Sequence, residues 1–231
     1  MDIIPFRKKK PTAPPAPVTL NSSAPPQTAY TPPIGSNDSG NKKDTMRSVV
    51  STIALFGTAL LIAILLNTFV IQSYQVDGMS MENTLQNDDR LIVNKVPRTW
   101  SRLTGHQYVP HRGDIIIFNE AGLPGFVGTK QLIKRVIGLP GEHVVVSNGR
   151  ITVYNKQNPQ GFDPDDSGKY KTSSPVTVGD VDVTLKSNEI FVCGDNRPNS
   201  EDSRYFGPIN TNQIVAKLVL RIMPVDKVQK F

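Results

Sequence analysis

The chain has 231 residues, about the size of one domain with extensions, and its 38% hydrophobic and 20% charged residues suit a globular part with polar additions. Its net charge of +6 is concentrated at the front: residues 1–48 hold 7 Lys/Arg against 3 Asp/Glu, and the remainder hold 19 against 17. A nearly neutral body argues against a nucleic-acid-binding face, and a single cysteine, Cys193, excludes an intrachain disulfide.

Residues 1–47 read as a disordered, basic, Pro-rich tail. Lys8, Lys9 and Lys10 open a stretch rich in Pro, Ser, Thr, Ala and Asn. Such a composition buries too little apolar surface to offset ordering entropy. The pairs Pro14-Pro15, Pro25-Pro26 and Pro32-Pro33 favour extended polyproline segments, which serve as plain linker or as docking sites. No charge occurs between Arg47 and Asp77. At ~1.5 Å per residue, residues 49–71 reach roughly 34 Å, enough for a hydrocarbon core of about 30 Å. The sequence therefore predicts a transmembrane helix over 48–72; a buried soluble helix is the competing reading. A secretory apolar region is shorter, about 7–15 residues. Lys42, Lys43 and Arg47 precede the span and Asp77 is the first charge after it. The positive-inside rule then places the N-terminus in the cytoplasm and residues 73–231 outside, at the plasma membrane.

Beyond Tyr74 the pattern changes to short strands and turns. Residues 90–96 predict a strand ended by Pro97. Residues 97–111 read as a loop, whose Trp100, Leu103 and Tyr108 either rest among lipid headgroups or pack locally. Asp114-Ile115-Ile116-Ile117-Phe118 is a continuous apolar run, suited to a buried strand. Residues 131–138 predict another strand, closed by Leu139-Pro140-Gly141-Glu142. Strand alternation puts Lys134 and Arg135 on opposite faces, so one points inward while the other meets solvent. His143-Val144-Val145-Val146 and Arg150-Ile151-Thr152-Val153-Tyr154 flank Asn148-Gly149, a hairpin signal because Asn-Gly suits positive φ angles. The hairpin falls in an insertion over about 143–187. Asp163, Asp165 and Asp166 read as a solvated turn or as a weak cation site lacking calcium-loop spacing. Glu189-Ile190-Phe191-Val192-Cys193 is an apolar strand, which makes Cys193 a small core residue rather than a thiol nucleophile with a neighbouring histidine. A loop dense in Asp, Asn and Ser follows over 194–209, then a last strand over 213–222.

Three chemistries are disfavoured by the residues themselves. His106, His111 and His143 sit in polar or turn segments, so a Ser-His-Asp triad lacks an obvious base. No His/Cys/Asp cluster has zinc spacing, and no glycine loop suits a phosphate. No cofactor is expected. The remaining arrangement is Gly78-Met79-Ser80-Met81-Glu82-Asn83-Thr84-Leu85, just past the apolar span, with Lys134 further along. A serine hydroxyl is protonated at neutral pH and needs a base. A lysine becomes one when an apolar site lowers its pKa, and Ile133, Val136 and Ile137 offer such a site. Spacing alone leaves Lys134 open to the ordinary reading of a solvated charge.

Four boxes in order carry a resemblance. They are Ser80-Met81-Glu82-Asn83-Thr84-Leu85; Arg112-Gly113-Asp114 with its apolar strand; Lys134-Arg135-Val136-Ile137-Gly138-Leu139-Pro140-Gly141-Glu142; and Gly194-Asp195-Asn196 running through Ser200, Asp202, Ser203 and Arg204. Behind a membrane anchor, this pattern resembles the bacterial type I signal peptidases over roughly residues 49–224. The resemblance implies a mostly β fold, an antiparallel body of the signal-peptidase type with one N-terminal transmembrane helix. It implies an endopeptidase that removes signal peptides from exported preproteins after Ala-x-Ala-type small residues, with preproteins and membrane lipid as partners. It implies Ser80 as nucleophile, Lys134 as general base, Ser200 orienting the lysine amine, and Asp202 with Arg204 as a supporting ion pair. Gly78 stands where some relatives carry an oxyanion-supporting serine, which leaves that task to backbone N–H groups such as that of Ser80. The extended substrate adds as a strand beside Asp77 and residues 131–133. One position departs from the pattern: Asn83 stands where the family has proline, which is expected to loosen the turn. Two rival readings are a membrane-tethered β module that binds peptides without cleaving them, and a self-cleaving Ser-Lys repressor-type protease. The second is disfavoured by the membrane span and the absence of a DNA-binding region.

Overall fold

The computed structural model describes residues 42–121, 123, 127–168 and 170–231; residues 1–41 of the expected tail lie outside them. It divides into two units, Met1–Val49 and Val50–Phe231. Helix α1 runs over Lys42–Phe69, so residues 42–47, expected in the tail, are its opening turns. Its segment Thr45–Phe69 has a mean hydropathy of 2.6 and is unburied, long and apolar enough to cross a membrane. The helix ends three residues before the expected 72, because Ile71–Gln75 already pairs as strand β1.

The remaining strands are β2 (Arg90–Asn94), β3 (Ile115–Ala121), β4 (Thr129–Gly138), β5 (His143–Ser147), β6 (Arg150–Tyr154), β7 (Val181–Thr184), β8 (Glu189–Cys193), β9 (Ile209–Asn210), β10 (Ile214–Met223) and β11 (Gln229–Lys230). Two further helices are α2 (Val96–Thr104) and α3 (Ser203–Phe206). The main sheet has the order β1-β2-β10-β3-β4-β8-β9, with β11 beside β10; β6-β5-β7 form a second sheet. Every strand pairing is antiparallel.

Period-two alternation distributes the core. Ile115 and Ile117 of β3 enter one cluster with Val76, Met81, Leu85 and Leu218. Ile116 and Phe118 enter another with Val136, Val192 and Ile214. This two-sided burial is why β3 reads as an unbroken apolar run. A third cluster, built on Ile137, Val144, Phe191 and Cys193, joins β4 and β8 to the second sheet. Gly138 permits that close approach, since a Cβ there would lie 2.7 Å from Val144. The expected hairpin forms as read, with φ of 50° at Asn148 and 79° at Gly149.

Two expectations are corrected. Residues 97–104, the first part of the expected loop, belong to α2, which also takes Val96 from the expected strand over 90–96: Pro97 occupies the first helical turn, where its missing N–H costs nothing. Lys134 and Arg135 do lie on opposite faces, yet both are buried, at 3% and 6% exposure. The face that carries Arg135 is covered by the insertion, whose Tyr170 ring lies 4.2 Å from the Arg135 guanidinium.

Candidate active site

Ser80 sits on the loop between β1 and β2. The loop is closed at its base by two backbone bonds of 2.9 Å, Val76 N–H to Asp89 O and Asp88 N–H to Val76 O. Met81 and Leu85, both essentially unexposed, anchor it in the core. Gly78 adopts φ of 106°, which an L side chain rarely takes, and donates its N–H to Asn87 Oδ1. The loop is also clamped from above. Asn196 donates its backbone N–H to Ser80 O at 3.0 Å and its side-chain amide to Met79 O at 3.0 Å.

Lys134 reaches Ser80 from β4. Its Nζ donates to Ser80 Oγ at 2.8 Å, although the two residues are 54 positions apart. Burial lowers the Lys134 pKa to about 8, opposed in part by the Asp202 carboxylate and assisted by the Lys130 charge. An amine in that range is partly neutral near physiological pH and then has a lone pair for a proton. Among the described residues, the Ser80 N–H donates to no acceptor.

Behind the amine, Gly194 donates its N–H to both Ser200 Oγ (3.1 Å) and Asp202 Oδ2 (3.0 Å). Ser200 therefore holds the β8–α3 turn; among the described residues, no hydrogen bond joins it to the Lys134 amine, the contact the resemblance implied. Asp202 and Arg204 pair at 2.8 Å with side chains almost wholly buried. Arg204 also donates to the carbonyls of Val178, Arg197 and Ser200, tying the insertion to this turn.

Several supporting groups escaped the sequence reading. Arg135 grips Asp195 through two bonds, Nε to Oδ1 at 2.8 Å and Nη2 to Oδ2 at 2.6 Å. Asp195 in turn accepts from the Thr84 hydroxyl on the Ser80 loop. Arg221 donates to Thr84 O (2.8 Å) and Asp89 Oδ2 (3.1 Å) from the far side. Their only signal was membership of the motif boxes or an arginine in an apolar strand. Asn83 also differs from expectation. It lies at φ of 77°, inside a turn where the Met81 carbonyl accepts from the N–H of both Thr84 and Leu85. The turn is closed rather than loosened, because asparagine tolerates the left-handed region and proline does not.

A groove of about 330 Å³ opens over the pair, lined by Tyr74, Asp77, Gly78, Gln131 and Ile133 as well as Ser80 and Lys134. One wall is the segment following β1. The other is the front of β4, which pairs with β3 on one side; its pairing with β8 begins only at Arg135. The open edge of residues 129–134 can accept an added strand.

The other candidates lead away from catalysis. Cys193 is fully buried, and burial pushes its thiol well above the usual value. His111 is exposed, and His143 pairs with Asp182. Asp163 and Asp166 meet Arg150, while Asp165 holds Arg197. No cluster suited to a metal exists among the described residues.

Comparison with known proteins gives one answer. The family model described as signal peptidase, peptidase S26, matches residues 49–223. Probable signal peptidase I-2 of Synechocystis sp. is 34% identical over 172 residues, 74% of this chain and 72% of that protein. Signal peptidase I of Leptolyngbya laminosa is 30% identical over 213 residues, 90% of this chain and 95% of that one. A crystal structure of a signal peptidase I from Enterococcus faecalis V583 overlaps 48% of this chain and 97% of its own, at 29% identity and a TM-score of 0.35.

Proposed function

Because this chain belongs to the signal peptidase family, peptidase S26, and is thereby a serine endopeptidase, we propose that Ser80 and Lys134 cut signal peptides from exported preproteins. The observation that carries this is the 2.8 Å approach of a buried lysine amine to an otherwise ordinary serine hydroxyl at the floor of a groove. Neutral Lys134 accepts the Ser80 proton as Oγ bonds to the scissile carbonyl carbon. The carbonyl oxygen takes the negative charge, and the Ser80 N–H is placed to donate to it. As the C–N bond breaks, the Lys134 ammonium gives its proton to the leaving amine. Water then attacks the acyl-enzyme, Lys134 takes the water proton, and Ser80 is released.

The substrate backbone lies as a strand between Asp77 and the open edge of β4. Apolar walls at Ile133 and Val76 favour small side chains beside the cut, consistent with Ala-x-Ala cleavage. Asp202 and Arg204 support the turn that backs the amine, and Gly78, having no side-chain hydroxyl, leaves the oxyanion to backbone N–H groups such as that of Ser80. Helix α1 is the membrane anchor. The excess of basic residues before it supports an N-terminus in the cytoplasm and a peptidase domain, residues 73–231, outside.

Cleavage of a preprotein by the detergent-solubilised full chain tests this. Ser80→Ala and Lys134→Ala should each lower the rate by roughly 10³-fold or more. Cleavage by both variants at the wild-type rate would remove the assignment.

A further inference from the structure

Helix α2 presents its faces in the reverse of the usual order. Val96, Trp100 and Leu103 form one stripe and are 43%, 65% and 77% exposed. Ser101, away from that stripe, is buried, and Arg98 and Arg102 lie together beside it. A helix packed on a protein surrounded by water turns its apolar stripe inward. The location of α2 supplies a different neighbour. Lys95 donates its N–H to Val70 O at 2.9 Å, and Thr99 donates its hydroxyl to Phe69 O at 3.1 Å. The start of α2 is thus tied to the end of α1, where a membrane span would leave the bilayer.

The polar face carries the second observation. Arg98 and Arg102 stand one turn apart and line a pocket of about 380 Å³ with Ser101, Gln107, Thr211 and Asn212. No carboxylate lines the pocket, and neither arginine has an ion-pair partner among the described residues. Arg98 donates to Asn212 O at 2.9 Å, while its Nε is buried with no partner. Burial, then the nearby Arg102 charge, lowers the Arg98 pKa. Like charges one helical turn apart repel, and an anion between them relieves both.

We propose that α2 is an interfacial helix: its Val96, Trp100 and Leu103 stripe enters the headgroup layer at the end of α1, and the Arg98–Arg102 pocket holds the phosphate of an anionic lipid. The inference rests on α1 as a membrane span and is independent of the chemistry at Ser80. An amphipathic tryptophan suits that depth.

Trp100 is the only tryptophan in the chain, so its fluorescence reports on α2 alone. The full chain is reconstituted in mixed phosphatidylglycerol–phosphatidylcholine nanodiscs in which one lipid or the other carries brominated acyl chains. Brominated lipid should quench Trp100 and aqueous acrylamide should not, with brominated phosphatidylglycerol the better quencher. Arg98→Gln with Arg102→Gln should lose that preference, by roughly fivefold per arginine, while keeping preprotein cleavage in detergent as proof of folding. A disc-embedded chain whose Trp100 is quenched only by acrylamide overturns the inference and leaves the anchor intact. A chain that alkaline washing strips from vesicles overturns both. A preference that survives the double substitution, or that inorganic phosphate abolishes at matched ionic strength, removes the lipid-phosphate assignment.

Discussion

Arg135 and Asp195 meet through two parallel hydrogen bonds, with side chains 7% and 0% exposed, immediately behind the residue that carries the candidate base. The pair links β4 to the turn after β8. Through the Thr84 hydroxyl it also reaches the Ser80 loop. Removing one member leaves the other charge buried and uncompensated. Asp195→Ala should therefore cost about 3–5 kcal/mol in denaturant unfolding. Arg135→Lys should recover little of the lost activity in the corresponding arginine-deletion variant, because an ammonium cannot make both bonds. A variant of Asp195 with unchanged stability would show the pair to be dispensable.

Lys134 sets the pH dependence. On the proposed mechanism activity needs the neutral amine, so kcat/KM should rise with pH and level off above about 8. Stability moves with the same group. Below pH 8 the folded state holds a buried ammonium that the unfolded state holds in water, and the penalty is full. It shrinks as pH rises from about 8 toward the ordinary value of 10.5, because only the unfolded chain still binds the proton. Lys134→Met should thus be inactive yet more stable at pH 7 by about 2–3 kcal/mol. Equal melting temperatures for both proteins from pH 6 to 10 would contradict the depressed pKa.

The residues that were legible in the sequence are those marked by a short signature, even where, as for Ser80 and Lys134, the partner lies 54 positions away. Ser80 and Lys134 stood out within short boxes, β3 within one apolar run, and Asn148-Gly149 by its turn chemistry. What remained hidden depends on partners far along the chain. Burial of both Lys134 and Arg135 was not foreseen because Asp195 lies 60 positions from Arg135 and Tyr170 comes from the insertion. Helix α2 was read as loop because Pro97 ends a strand as readily as it begins a helix. Its apolar stripe also faces outward, so no burial pattern marked it. Nothing local to Ser200 announced that its Oγ accepts from the Gly194 N–H.

Asn83 offers a direct test of the loop. The family pattern suggests that proline would be welcome there. At φ of 77° it is not, since proline is held near −65°. Asn83→Pro should destabilise the chain by about 2 kcal/mol or more and slow cleavage, because the strained turn moves Ser80. Asn83→Gly should be neutral or slightly stabilising, having no Cβ to strain. Thermal unfolding and preprotein cleavage of the two variants decide it; a more active Asn83→Pro would show that the turn takes up a right-handed conformation.

Gly194 carries the most sensitive junction. Its N–H holds Ser200 and Asp202, and its carbonyl accepts from Arg197 Nε at 3.0 Å. A Cβ at this position would collide with the Ser200 hydroxyl and with the backbone oxygen of Ser80. A side chain can rotate aside, but the Ser80 carbonyl moves only if the candidate nucleophile moves with it. Gly194→Ala should therefore cost about 1–3 kcal/mol of stability by overpacking. Its larger effect should fall on kcat, by about 10²-fold for a displacement near 1 Å, with KM little changed because the open edge of β4 is untouched. Steady-state cleavage of a signal-peptide substrate separates the two constants. A wild-type kcat in Gly194→Ala would mean that the turn after β8 does not position Ser80.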